Sequence, residues 1–121
     1  MKQVALDIEI NADQAVVWIE DSLYLLDQRV LPREEIFVQC ETVTDARNAI
    51  RAMVVRGAPA IGVTAAYAVV LAAREARATG GRDWKQALTA GLEMLAQARP
   101  TAINLSWAIE QMKSVISGLQ D

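Results

Sequence analysis

The stretch VVRGAPAIGV at residues 54–63, which continues as an apolar run to Ala73, decides how this chain folds. The spacing of its glycine and proline predicts that one helix ends at Gly57 and that the next begins at Pro59. A helix start carries unpaired backbone N–H groups and the positive end of the helix dipole, so Arg56 beside such a start favours anion binding. On spacing alone, the commoner interpretation of this joint is a structural turn between two buried helices.

The composition predicts one globular domain over residues 1–121. The 121-residue chain is 53% hydrophobic, enough to bury a core, and it is too short for a second domain. Twelve basic and fifteen acidic residues leave a net charge of −3, so bulk charge favours neither nucleic acid nor an anionic membrane as a partner. The single cysteine, Cys40, excludes an internal disulfide and suits a reducing cytoplasm.

Neither an export signal nor a membrane span is predicted. The first ten residues, MKQVALDIEI, lack the continuous apolar region of a signal peptide. The apolar run 58–73 is shorter than the roughly 20 residues that a bilayer crossing needs. We therefore predict a cytoplasmic protein whose apolar run is a buried core helix.

The N-terminal third, residues 1–40, predicts a small antiparallel β meander. Residues 15–20 and 23–26 are rich in β-branched and apolar residues and are joined by a polar turn, which indicates a hairpin. Residues 36–40 form a third predicted strand, and residues 1–11 alternate only partly, as an edge strand or an ordered arm would.

Residues 42–118 predict a bundle of about four helices. Thr42 or Thr44 caps the first, which runs to Gly57, and the apolar run supplies a central second helix. Asp83 is the predicted cap of the third helix and Thr101 that of the fourth. The predicted inner face of the fourth helix carries Ile103, Trp107, Met112 and either Ala108 or Ile109. The fold class is therefore α+β, with about three strands followed by about four helices.

The residues available for chemistry indicate binding rather than catalysis. The chain has no histidine, which removes His-based nucleophile pairs and histidine metal sites, and a lone Cys40 at a strand end is a typical buried residue. Arg56 and Arg99 each precede a predicted helix start and could direct a guanidinium at an anion held there. Asn104 and Trp107 could line the same cleft, although packing is the commoner role for both.

Three motifs in order resemble the N-terminal domain of the methylthioribose-1-phosphate isomerase family: LLDQRVLP at 25–32, VVRGAPAIGVTAAYAVVLAA at 54–73 and ARPTAINLSWAIEQM at 98–112. Two related families share this fold and stay open as alternatives. They are the ribose-1,5-bisphosphate isomerases and the regulatory subunits of translation initiation factor 2B, whose N-terminal helical regions are non-catalytic interaction modules.

The resemblance implies a substrate-binding role for Arg56, Gly57, Ala58 and Arg99, which match the family's motif residue for residue. It places the catalytic cysteine and aspartate in a larger, Rossmann-like C-terminal domain that this chain lacks, so no catalytic residue, metal or organic cofactor is expected here. The expected partners are a sugar phosphate, that C-terminal domain and a second copy in a homodimer.

The polar triplet at residues 27–29 follows the second strand of the predicted hairpin. We interpret it as a solvated loop. The functional alternative is a contact with the C-terminal domain that the resemblance implies.

Overall fold

A computed structural model describes residues 2–6, 15–99 and 102–119 of this chain. Four short strands form one antiparallel sheet in the order β1-β4-β3-β2. They are β1 (Lys2–Val4), β2 (Val16–Ile19), β3 (Ser22–Leu26) and β4 (Phe37–Cys40). The meander is confirmed for β2, β3 and β4, and β1 adds a fourth strand at the edge, which confirms the edge-strand alternative for Lys2–Val4. Residues 7–14 of the predicted arm lie outside the described residues.

The hairpin predicted between the second and third strands is confirmed. Val17 pairs with Tyr24 and Ile19 with Ser22, which leaves a two-residue loop between β2 and β3. Glu20 and Asp21 in this loop both have positive φ angles, of 49° and 66°. Positive φ at both positions is the geometry of a type I′ turn, whose twist matches that of the paired strands.

Four α-helices follow the sheet, as predicted. They are α1 (Val43–Arg51), α2 (Ala58–Gly80), α3 (Trp84–Ala96) and α4 (Ile103–Ser117), with a 3₁₀ turn at Gly81–Asp83. Thr42 rather than Thr44 caps α1, because its hydroxyl oxygen accepts a 3.1 Å hydrogen bond from the Asp45 N–H. Asp83 precedes α3 without a side-chain cap bond, since the 3₁₀ turn leads directly into that helix.

The predicted end of the first helix at Gly57 is wrong. The helix ends at Arg51, and Met53 turns the chain away with a φ of +64°. The Met53 N–H donates to the Ile50 carbonyl and the Val54 N–H to the Ala49 carbonyl, which is the Schellman pattern of helix ends. The prediction placed the helix end at Gly57, because the left-handed conformation at a helix end usually selects glycine. Here Met53 adopts that conformation instead.

Helix α2 is the central element, as predicted, but one of its faces is left uncovered. Leu71, Ala68 and Val69 on the inner face have no exposed surface. The sheet packs on α2 through Trp18 and Tyr67, whose stacked rings lie 5.3 Å apart. The prediction of a wholly buried helix is wrong on the opposite face, where Val63 is 47% and Val70 41% exposed.

The inner face of α4 agrees with the prediction at Ala108 and Ile109 but not at Ile103 and Trp107. Ile103 and Trp107 are 81% and 63% exposed, because Leu105, Ala108 and Ile109 form the stripe that packs on the core. Ala102 is the residue that precedes the helix, and the predicted cap Thr101 lies outside the described residues. Within the described ranges, no helix is both long enough and apolar enough to cross a membrane.

Candidate functional site

A cleft of about 460 Å³ lies where the N-terminal ends of α2 and α4 come together. This volume is within the range of small-molecule sites in proteins. The lining residues come from the α1–α2 connection, the first turn of α2 and the approach to α4: Met53, Arg56, Gly57, Ile61, Arg99, Ala102, Ile103 and Asn104. The cleft therefore joins two cationic side chains to an apolar wall.

The first wall of the cleft is the segment 53–57, which we call the Arg56 corner. Val54 and Val55 are buried and anchor the corner in the core, whereas Arg56 is exposed. Gly57 has a φ of +92° and a ψ of 136°, a conformation that essentially only glycine adopts. No atom of the described chain lies within 4 Å of the position that a Cβ on Gly57 would occupy. The glycine is therefore required by backbone conformation, and the space in front of it is open to a ligand.

The second wall is formed around Arg99, which is half-buried and follows α3. The Ala98 N–H donates to the Leu95 carbonyl, and the Ala102 N–H donates to the Arg99 carbonyl over 2.9 Å. These bonds turn the chain from the end of α3 towards the start of α4. Pro100, which we expected to break the helix, lies outside the described residues.

The electrostatics of the cleft favour an anion. Across residues 2–6, 15–99 and 102–119, no hydrogen bond or ion pair is made by the side chain of Arg56 or of Arg99. Neither α2 nor α4 has a side-chain cap or an acidic residue in its first turn. Two unpaired guanidiniums therefore adjoin two helix N-termini whose N–H groups remain available as donors.

Three of the four residues assigned to substrate binding line this one cleft: Arg56, Gly57 and Arg99. Ala58 is the first residue of α2, directly after Gly57, and the structure describes its backbone only. Asn104 lines the cleft and also packs beside Gly62. Trp107 is 63% exposed, so the packing role that we favoured for it is wrong, and it is absent from the lining.

Sequence reasoning missed the apolar part of the lining. Met53 lines the cleft, and nothing in the sequence distinguishes a methionine that adopts the left-handed conformation. Ile103 was expected to face the core, but it precedes Asn104 at the mouth of the cleft. An apolar residue beside a helix start is equally typical of a hydrophobic staple, so the pattern alone did not identify this wall.

Cys40 is part of the core and has no exposed surface. Burial raises the pKa of its thiol to about 12, which keeps it protonated and unreactive at neutral pH. The packing interpretation of Cys40 is therefore confirmed. Within the described ranges, no three histidine, cysteine or acidic side chains come close enough together to hold a metal ion.

The interpretation of residues 27–29 as a solvated loop is wrong for Asp27, although Arg29 at the other end of the triplet is exposed. The Asp27 side chain is fully buried and forms an ion pair with Arg29, whose Nη2 lies 2.8 Å from Oδ2. The hydrogen bonds from Arg29 hold the pKa of the Asp27 carboxyl below its usual value, although burial acts in the opposite direction. The same bond with Asp27 raises the pKa of Arg29. The expectation failed because a carboxylate can be buried when a neighbouring arginine satisfies it.

The fold and the cleft define a class of protein: a small α+β domain that presents two arginines beside two helix N-termini. The sequence model of the Initiation factor 2 subunit family matches residues 54–121, more than half of the chain. The chain belongs to that family.

Curated relatives of this chain are methylthioribose-1-phosphate isomerases. The protein of that name from Thioalkalivibrio sulfidiphilus is 57% identical over 91% of this chain, and that from Nitrosococcus oceani is 55% identical over 96%. The chain spans about a third of the length of these relatives, 31% and 33% respectively.

Two solved structures share the fold. The 5-methylthioribose 1-phosphate isomerase from Pyrococcus horikoshii OT3 has a TM-score of 0.78 at 34% identity and covers 85% of this chain and 29% of its own. Subunit delta of translation initiation factor eIF-2B from A. fulgidus has a TM-score of 0.77 at 36% identity and covers 86% of this chain and 31% of its own. The family resemblance inferred from the three motifs is thus confirmed.

Proposed function

We propose that this chain is the substrate-binding N-terminal domain of an aldose–ketose isomerase that converts 5-methylthioribose 1-phosphate into 5-methylthioribulose 1-phosphate in methionine salvage. The observation that carries the proposal is the cleft in which Arg56 and Arg99 adjoin two uncapped helix N-termini. The names of the curated relatives supply the substrate.

The proposed chemistry explains why two cations are useful. The phosphate is attached to C1, so no free aldehyde exists, and the sugar ring has to open while the phosphate stays in place. C2 is oxidised to the ketone and C1 is reduced within the same molecule, and the phosphate remains on C1 throughout. Arg56, Arg99 and the Gly57 backbone would hold that phosphate as a fixed point. Proton transfer would fall to a cysteine and an aspartate of a C-terminal domain.

Ligand binding by this chain alone should be weak. Two charge-assisted contacts at about 1.5 to 3 kcal/mol each give roughly 3 to 6 kcal/mol before the entropy of association is subtracted. A millimolar dissociation constant corresponds to about 4 kcal/mol. We therefore expect a dissociation constant in the millimolar range or weaker, and no turnover without the remaining domain.

Exposed apolar side chains on α2 and α4 offer a surface for the C-terminal domain or for a second copy of the chain. Val63 and Val70 lie seven positions apart on one face of α2, and Ile103 and Trp107 lie four apart on one face of α4. Gly62 lies against Asn104, so the neighbours Val63 and Ile103 belong to adjoining surfaces. We call these four residues the outer face.

We propose that the C-terminal domain covers the outer face in the whole protein and that a second copy covers it in the isolated chain. Exposed apolar patches of this kind usually mark interfaces, and a dimer is the simplest closed assembly. We expect light scattering to give a dimer mass, and Trp107→Glu to give a monomer. A monomer mass for the parent chain at high concentration would remove the dimer proposal.

The cytoplasm is the proposed location, because soluble sugar-phosphate metabolism and the inert Cys40 thiol both suit it.

A second candidate function is a non-catalytic interaction module, which the likeness to subunit delta of eIF-2B favours. A fusion of this chain to the C-terminal two thirds of the Thioalkalivibrio sulfidiphilus relative separates the candidates. We expect turnover of 5-methylthioribose 1-phosphate by the fusion and none by the chain alone. Turnover of ribose 1,5-bisphosphate instead would change the substrate. A folded fusion that converts neither sugar would favour the interaction module.

A further inference from the structure

An ion pair between the buried Asp27 and the partly exposed Arg29 lies outside the lining of the cleft. Asp27 accepts three hydrogen bonds from Arg29: Nε donates to Oδ1 over 2.9 Å, Nη2 donates to Oδ2 over 2.8 Å, and the backbone N–H donates to Oδ1 over 3.0 Å. These bonds close residues 27–29 into one compact turn. Gln28 lies at its apex, so its backbone orientation is set by the pair.

The turn is connected to the cleft by one backbone hydrogen bond. The Gln28 N–H donates to the Val54 carbonyl over 2.9 Å, and Val54 precedes Arg56 by two residues. On the other side, the Asp27 N–H donates to the Ile36 carbonyl over 2.8 Å, which continues the pairing of β3 with β4. The turn therefore joins the sheet to the Arg56 corner.

The other described backbone bonds of the corner are local to the adjoining helices. The Met53 and Val54 N–H groups donate to carbonyls of α1, and the Gly57 carbonyl accepts from Ile61 in α2. Among the described backbone bonds of residues 53–57, the bond from Gln28 alone comes from the sheet side. A corner that contains two residues with positive φ, Met53 and Gly57, needs such an external contact to keep one conformation.

We propose that Asp27 and Arg29 are positioning residues, which hold the Arg56 corner through Gln28 so that the Arg56 guanidinium and the Gly57 backbone face a phosphate-bearing ligand. The proposal rests on the proposed function in one respect, the phosphate ligand. The positioning itself is a property of the free chain and can be measured without any ligand.

The first test measures the corner directly. Asp27→Asn keeps the shape of the side chain and removes the charge, and Glu110→Gln is the matched control, because it breaks the exposed ion pair with Lys113. We expect NMR order parameters of the backbone amides at residues 53–57 to fall in Asp27→Asn only. Unchanged values, or an equal loss across the whole chain, would overturn the proposal. If Asp27→Asn does not fold, Arg29→Lys keeps the charge, loses the bidentate geometry and serves in its place.

The second test uses inorganic phosphate as the probe and follows its binding by NMR titration. We expect Asp27→Asn to weaken the affinity about 3- to 10-fold in the parent chain and to have a smaller effect in an Arg56→Ala background, where only the Gly57 backbone contact can still be misplaced. Equal losses in both backgrounds would show that Asp27 acts through general stability and would contradict the proposal. If the parent chain binds no phosphate, the proposed function fails, and the order parameters still decide the positioning role.

Discussion

The two sides of this domain differ in how completely they are partnered. On the packed side, the inner face of α2 is closed around Leu71, and the buried carboxylate of Asp27 is paired with Arg29. On the open side, Arg56 and Arg99 lack side-chain partners within the described ranges, and Trp107 is 63% exposed. The packed side therefore supplies most of the stability, and the open side presents groups that other molecules can satisfy. The bond from the Gln28 N–H to the Val54 carbonyl links the two sides.

The largest effect should come from placing a charge on the inner face of α2. Leu71→Asp buries a carboxylate without a partner, at a cost of several kcal/mol against a total stability of roughly 5 to 15 kcal/mol. We expect this variant to be unfolded. Val63→Asp is the matched change on the outer face and should cost less than about 1 kcal/mol. Circular dichroism with thermal unfolding compares the two, and equal destabilisation would remove the distinction between the faces.

The next largest effect should come from the buried ion pair. Asp27→Asn weakens hydrogen bonds to a charged group, which are worth about 1.5 to 3 kcal/mol, and we expect a loss of that size at neutral pH. Arg29 is partly exposed, so water offsets part of the loss of its partner. Urea unfolding measures the change, and Glu110→Gln in the exposed pair should change stability by less than about 0.5 kcal/mol.

The same pair predicts a pH dependence. The pKa of Asp27 is lower in the folded chain than its ordinary value of 3.8. The unfolded chain therefore binds the proton first, and the stabilisation is complete above about pH 5 and is lost as the pH falls through the folded pKa. We expect the stability difference between the parent chain and Asp27→Asn to shrink below pH 4. A difference that stays constant down to pH 2 would mean that the carboxylate charge is not responsible.

A smaller effect of opposite sign is expected at the open side. Met53 occupies the left-handed region at a φ of +64°, so Met53→Gly should stabilise the chain by about 0.5 to 1 kcal/mol, despite the loss of an apolar side chain that is 43% exposed. Met53→Ala keeps a Cβ and serves as the control, with no gain expected. A loss of stability in Met53→Gly would show that the cleft wall contributes more to packing than its exposure indicates.

The sequence predicted most of the fold because its cap and turn residues act on the chain segments next to them. Thr42 acts through its own side chain and the turn at Glu20 and Asp21 through its own backbone, and the structure agrees with both. The errors arose where tertiary contacts decide. The left-handed turn at Met53 that follows α1 contradicts the intrinsic preference of methionine. The burial of Asp27 depends on the orientation of Arg29.

The cationic half of the cleft could be predicted from the sequence, whereas its apolar half could not. Arg56, Gly57 and Arg99 belong to motifs that precede helix starts, so their common location follows from helix geometry. Ile103 and Trp107 were misplaced because an apolar residue predicts burial even where the folded chain leaves a face uncovered. A pattern of hydrophobicity does not state whether the chain itself or another partner covers that face.

The central claim is that Arg56 and Arg99 hold a substrate phosphate, and isomerase kinetics of the fusion protein test it most directly. We expect Arg56→Ala and Arg99→Ala each to lower kcat/KM for 5-methylthioribose 1-phosphate by about 10- to 150-fold, the equivalent of one charge-assisted contact, with unfolding curves unchanged. Arg82→Ala, an exposed arginine beyond the opposite end of α2, is the control and should leave kcat/KM unaltered. An active fusion that is indifferent to both Arg56→Ala and Arg99→Ala would contradict the account and leave the Arg56 corner as a structural turn.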